Sequence, residues 1–196
     1  GTHRALNRFR EFGYKVSKNN TKTCWVLKCD IRKFFASIDQ AVLMKVLRQY
    51  IPDAENLWLL GQVVHSFSST GPDVGLPLGN LTSQLFVNIY MNEFDRFMKH
   101  KLKAKYYIRY ADDFVIFLQS RALLLNLIPK IRDFLRYELR LTLHPDKVFI
   151  KTSSSGVDFL GWVHFTDHMV LRTATKRRML KRIKENSTCE TLSSYL

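Results

Sequence analysis

Two adjacent carboxylates, Asp112 and Asp113, stand between two runs of aromatic and β-branched residues, 105–110 and 114–118, in the order Tyr110-Ala111-Asp112-Asp113-Phe114. Such runs on either side of a short break predict a β-hairpin with the acids at its turn. Alternation along the first arm puts Tyr106, Ile108 and Tyr110 on one face and Tyr107 and Arg109 on the other. Acids packed this closely among apolar side chains repel each other and lose solvation, and a divalent cation between them removes that cost. Oxygen ligands suit Mg²⁺, which keeps several waters and takes one or two protein carboxylates together with substrate phosphates. The tetrapeptide taken alone reads equally as a solvated Ala-Asp-Asp turn.

A third acid is available. Residues 24–29, Cys24-Trp25-Val26-Leu27-Lys28-Cys29, form a mostly apolar run that predicts a strand inside a sheet, and it ends on Asp30. If this strand neighbours the hairpin, Asp30, Asp112 and Asp113 converge. Three carboxylates can hold two Mg²⁺ ions, one lowering the pKa of an attacking hydroxyl and one bracing a leaving pyrophosphate. That is the chemistry of nucleotidyl transfer.

The elements that must carry these acids follow from periodicity. Residues 2–16 predict a helix with an apolar stripe and a basic face. Helices are expected over about 40–50 and 55–67, followed by a loop at 68–73. The segment Gly75-Leu76-Pro77-Leu78-Gly79-Asn80-Leu81-Thr82-Ser83-Gln84 opens a long helix to about residue 100, whose stripe Leu81, Leu85, Ile89, Phe97 is expected against the sheet. Ser120 caps a helix over 121–139 that contains Pro129. A strand at 148–151, a hairpin over 157–172 and a basic helix from Thr173 complete the chain. Helices interleaved with hairpins predict an α+β fold, an antiparallel sheet with helices packed on one face.

Composition narrows the partners. The 196 residues hold 31 Lys and Arg against 17 acids, a formal net charge of +14, which calls for a polyanionic partner and favours nucleic acid. No apolar run approaches the roughly 20 residues that span a bilayer. Cys24, Cys29 and Cys189 are odd in number and lack Cys-x-x-Cys spacing, so a reducing, cytoplasmic setting without a zinc site is expected. An opening without Met and a stop just after a basic helix suggest a piece of a longer protein.

The order Asp30-x-x-x-x-Phe35, then Gly75 to Gln84, then Tyr-Ala-Asp-Asp, then Lys147, then Phe159-Leu160-Gly161 resembles the palm of a reverse transcriptase. The similarity spans about residues 24–165. It implies a right-hand polymerase palm at 24–172, preceded by the end of a fingers connector at 1–23 and followed by the start of a thumb at 173–196. It implies an RNA-directed DNA polymerase of bacterial or phage type, with two Mg²⁺ ions (or Mn²⁺) held by Asp30, the Ile31 carbonyl, Asp112 and Asp113. Phe35 matches the bulky residue under the sugar that excludes a 2′-hydroxyl. Gly79, Gln84 and Tyr110 match positions around the template base and incoming nucleotide. Lys147 matches a lysine that protonates leaving pyrophosphate, and Phe159-Leu160-Gly161 matches a primer grip. The variants Leu78-Gly79 and Ser83-Gln84 resemble those of diversity-generating retroelement enzymes, with Leu78 and Gln84 tied to loosened base selection; group II intron and retron enzymes are relatives. RNA template, a DNA or RNA primer, dNTPs and an accessory protein are the implied partners.

Each residue also has a plainer reading. Phe35 can be core beside Phe34, Gly75 to Gln84 an ordinary helix entry, Lys147 a solvated lysine, and Phe159 to Gly161 part of a sheet core. Arg4, Arg8, Arg10, Lys176, Arg177 and Lys181 are candidate contacts to nucleic-acid phosphates, or simply solvated faces. A non-catalytic nucleic-acid-binding module on a polymerase-like fold, and a DNA-templated or template-free polymerase, are the competing functions.

Overall fold

The structure is a computed structural model and describes residues 1–185. Four antiparallel strands form the main sheet in the order β2-β3-β1-β4, where β1 is Trp25–Asp30, β2 Tyr107–Tyr110, β3 Asp113–Leu118 and β4 Phe149–Thr152. The two central strands, β1 and β3, are each buried along four consecutive residues. Strands covered on both faces need apolar side chains pointing both ways, which is why β1 reads as a nearly unbroken apolar run.

One face carries Leu27, Cys29, Tyr107, Phe114 and Ile116 and packs on α2 (Gln40–Tyr50), α4 (Leu81–Arg96) and α5 (Arg121–Glu138). Phe94 of α4 meets Phe114 edge to face at 5.0 Å, and Phe97 stacks on Phe134 of α5 at 4.1 Å. These three helices sit on one face as expected, whereas the first helix of the chain departs from that expectation by covering the other. On the opposite face Val26, Ile108, Val115 and Phe117 meet Phe9 and Val16 of α1 (Thr2–Val16) together with Val157 and Phe159. The last two belong to a separate antiparallel sheet of β5 (Val157–Phe159), β6 (Trp162–His164) and β7 (Met169–Leu171). A single hairpin over 157–172 is therefore extended to three strands, with a tight turn at Leu160 and Gly161, both at positive φ.

The stripe expected along α4 and the turn that follows it holds at Ile89 and Phe97, which pack partly buried on the core, and is corrected at its start. Leu81 and Leu85 are 82% and 58% exposed, and α4 buries Phe86, Val87, Tyr90, Met91 and Phe94. Both sets recur at helical spacing, but the second holds the aromatic rings, whose burial removes more area from water. Tyr90 also satisfies its hydroxyl inside the core by donating to the Leu139 carbonyl at 2.6 Å. The α-helical part of this element stops at Arg96, and a π-helical turn, Phe97–Lys101, replaces its last stretch.

Capping sets the remaining boundaries. Ser120 accepts from the Leu123 N–H, Asp39 from Val42 and Asp53 from Asn56 at the start of α3 (Ala54–His65). The wholly buried Gln40 donates to the Phe67 and Gly75 carbonyls at 2.6 and 2.9 Å, anchoring the loop ahead of α4. A basic helix, α6 (Thr173–Glu185), follows β7. The rest of the expected thumb segment, residues 186–196 with Cys189, lies outside the described residues. Among the described residues no helix is long and apolar enough to cross a membrane.

Candidate active site

Asp30 closes β1 and Asp113 opens β3, and the register sets the two directly opposite each other. Lys28, two residues before Asp30, shares their face because side chains alternate along a strand. Along this face the sheet changes from buried Val26, Val115 and Phe117 to half-buried Asp113 and Asp30. Ala111 and Asp112 form the two-residue turn of the hairpin, with Ala111 at φ 52°. The Asp112 carbonyl accepts from the Ile31 N–H at 3.2 Å, tying the turn to the end of β1. Three acids from neighbouring strands thus stand at one end of the sheet.

Two lysines face the three acids. Lys28 Nζ lies 3.2 Å from Asp113 Oδ2, and Lys147 Nζ donates to both Asp30 oxygens at 3.1 Å. Burial pushes the Asp113 carboxyl up to about 6; Lys28 opposes the shift, while Asp30 and Asp112 add to it. Burial also raises Asp112, and the charge of Asp30 contributes. Asp113 Oδ1 is buried with no hydrogen-bond partner, a state that costs an acceptor about 1–3 kcal/mol. An unpartnered carboxylate oxygen among mutually repelling acids suits a hard divalent cation, and oxygen is the donor such an ion takes. Among the described residues, no three His, Cys, Asp or Glu side chains are gathered into a ready-made cage. Asp30 and Asp113 are instead turned toward their lysines.

Beside the acids a cleft of about 430 Å³ is lined by Phe35, Gln84, Val87, Asn88, Arg109, Tyr110 and Ala111. Three of the four expected nucleotide-binding residues therefore share one cavity. Phe35 packs edge to face on Phe34 at 5.5 Å, so it is core on one side and cleft wall on the other. The Thr2 hydroxyl donates to the Tyr110 hydroxyl at 3.2 Å, bringing the start of α1 to the rim.

Gly79 is not in the cleft lining. It sits exposed at φ 94°, and a Cβ there would meet nothing within 4 Å, so its backbone conformation, not a close approach, calls for glycine. The glycine under close contact is Gly75, at φ 103° with a Cβ position 2.4 Å from Ser69 Oγ. Phe159 is fully buried against Phe9, while Leu160 and Gly161 form the turn. Arg4, Arg8, Lys176, Arg177 and Lys181 are exposed and stand on α1 and α6. Arg8 lies over the Phe12 ring at 5.8 Å, and Lys181 pairs with Glu185 at 3.7 Å.

Lys28, Asn88 and Arg109 belong to the site although the motif reading passed over them. Lys28 was signalled by its alternation with Asp30, and Asn88 by its i,i+4 spacing from Gln84, whose carbonyl accepts from the Asn88 amide at 2.8 Å. Arg109 engages Asp95 of α4, a contact between distant segments that no local pattern announces.

Comparison with known proteins agrees with this geometry. The chain is 24% identical over 207 residues to the putative COX1/OXI3 intron 2 protein of Saccharomyces cerevisiae, a match covering 74% of this chain and 24% of that protein. It is 28% identical over 181 residues to protein YkfC of Escherichia coli, covering 72% and 47%. The chain thus spans less than half the length of either curated relative. Among solved structures, telomerase from Candida tropicalis in complex with a fragment of telomeric RNA superposes with a TM-score of 0.68 at 12% identity, over 94% of this chain and 37% of that one. Apo telomerase from the same organism, truncated from its C-terminal domain, gives 0.67 at 15% identity over 88% and 40%. These neighbours establish the right-hand polymerase fold. The family model described as reverse transcriptase (RNA-dependent DNA polymerase) matches residues 2–164, and with the ordered acids, cleft and sheet already in place, the chain belongs to that family.

Proposed function

We propose that this chain carries the catalytic palm of an RNA-directed DNA polymerase, in which Asp30, Asp112, Asp113 and the Ile31 carbonyl hold two Mg²⁺ ions. The observation that carries the reading is the placement of Asp30 opposite Asp113 beside the 430 Å³ cleft walled by Phe35. When bound, the metal supplies Lewis-acid charge at the attacking and leaving oxygens. Phe35 blocks the space a ribose 2′-hydroxyl needs, and Gln84 and Tyr110 line the seat of the incoming base. The primer 3′-hydroxyl attacks the α-phosphate, a new phosphodiester bond forms, and pyrophosphate departs. Lys147, half exposed and resting on Asp30, is free enough to turn and donate a proton to that leaving group.

In this reading residues 1–23 are the connector from the fingers, 24–172 the palm, and 173–196 the start of the thumb. The turn at Leu160 and Gly161, seated on the buried Phe159, grips the primer, and Arg4, Arg8, Lys176, Arg177 and Lys181 contact phosphates. The relatives include an intron protein and the structural neighbours a telomerase held with RNA, which supports an RNA template. Leu78-Gly79 and Ser83-Gln84 favour an error-prone retroelement type, working in the cytoplasm with an accessory protein.

The test is primer extension with Mg²⁺ and single dNTPs on RNA, on DNA and without template, comparing the 196-residue chain with one extended at both ends. RNA-dependent extension, with misincorporation opposite adenine, supports the reading. Metal-independent RNA binding with no extension by either protein rejects it in favour of a binding module.

A further inference from the structure

Arg109 stands on the helix-facing side of β2 and spends three of its N–H groups in known directions. Nε and Nη2 donate to the two oxygens of Asp95 on α4 at 2.9 and 2.7 Å, a bidentate pair in which the arginine is only 9% exposed. The third, from Nη1, reaches the Ala111 carbonyl at 3.1 Å. Asp95 Oδ1 also accepts from the Tyr107 hydroxyl at 2.7 Å, so the carboxylate that aims the guanidinium is itself fixed. Ala111 holds φ 52°, a left-handed conformation that residues with a Cβ seldom keep unless their surroundings impose it.

We propose that Arg109, aimed by Asp95, is a positioning residue that fixes the peptide between Ala111 and Asp112 and thereby the direction of the Asp112 carboxylate. The proposal rests on the reading of Asp112 as a metal ligand. A carbonyl that accepts a charged N–H sets the plane of its peptide, and the next residue in that plane is Asp112. On its other side the turn is held by the Asp112 carbonyl on the Ile31 N–H. Two hydrogen bonds from two different strands therefore clamp a two-residue turn, one from β2 and one from the end of β1. Tyr107 shares the cluster by donating to Asp95 and not to the turn, so it separates stiffening of the cluster from aiming of the acid. The arrangement places an outer-shell ion pair behind a candidate ligand, the way carboxylates and arginines orient ligands at metal sites generally.

The test titrates Mn²⁺, as a probe of the acids, into the 196-residue chain and follows free Mn²⁺ by electron paramagnetic resonance, with thermal melting run on each variant. Arg109→Lys keeps the charge but loses the fork, and its Mn²⁺ affinity is expected to fall about tenfold, the scale of outer-shell effects. Tyr107→Phe is expected to lower the melting temperature while leaving Mn²⁺ affinity within about twofold, since it leaves the Arg109 bond to Ala111 in place. If Arg109→Lys does not fold, Asp95→Asn takes its place with the same expectation. A folded Arg109 or Asp95 variant that binds Mn²⁺ as the unaltered chain does, or a Tyr107→Phe variant that weakens binding equally, overturns the proposal. An unaltered chain that binds no Mn²⁺ overturns the metal reading first and this proposal with it.

Discussion

Lys28 supplies the positive charge nearest Asp113, and both side chains are largely shut away from solvent. Removing the lysine alone leaves a half-buried carboxylate facing two other acids, so Lys28→Met is expected to lower unfolding free energy by about 3 kcal/mol in urea titrations. Adding Asp113→Asn to that background is expected to recover part of the loss, because the uncompensated charge is then gone. Phe35→Ala widens the cleft and, if the proposed sugar gate holds, is expected to admit ribonucleotides, read as a lower KM for rNTPs with little change for dNTPs. An unchanged sugar preference would reject the gate. The convergence of Asp30 with Asp112 and Asp113 was legible in the sequence because acids embedded in apolar runs need a reason to be there. Asn88 and Lys28 carried weaker local signals, and the Arg109 to Asp95 pair carried none, since it forms only when β2 packs on α4.

The loop ahead of α4 and the helix itself decide where Gln84 and the cleft wall stand. Gly75 is held by the Gln40 amide and pressed on Ser69, whereas Gly79 lies open. Gly75→Ala must both bear positive φ and displace Ser69, while Gly79→Ala bears φ alone. The first is expected to cost clearly more than the about 1–3 kcal/mol that a strained backbone position costs by itself, and to raise dNTP KM. Equal losses at the two glycines would contradict this packing. In α4, Leu85→Ser is expected to stay within about 0.5 kcal/mol of the unaltered chain, and Met91→Ala to cost about 2–5 kcal/mol, both by chemical denaturation. The long elements were readable from period and caps, but the face that the start of α4 buries was not. Two apolar stripes share this helix, and only the position of the sheet chooses between them. The hairpin expected over 157–172 lies where the β5-β6-β7 sheet forms, but its division into three short strands, with Phe159 of β5 packed on the distant Phe9 of α1, was harder to anticipate.

Across the whole molecule, 31 basic residues outnumber 17 acids, yet the end of the sheet that holds Asp30, Asp112 and Asp113 concentrates acids. This division fits a surface that draws in a polyanion and a centre that handles its phosphates. Affinity for a primer–template is accordingly expected to fall at least about tenfold between 50 and 200 mM salt, as counterion release by several phosphate contacts requires. A flat salt response in filter binding would contradict that assignment of the basic faces.

The account stands or falls on the three acids acting as one catalytic centre. The most direct measurement is single-turnover primer extension on an RNA template, comparing Asp112→Asn with the unaltered sequence in whichever form extends primers. The account predicts that the variant melts like the unaltered protein and loses nearly all turnover. Extension retained at a comparable rate by a folded Asp112→Asn variant would contradict it.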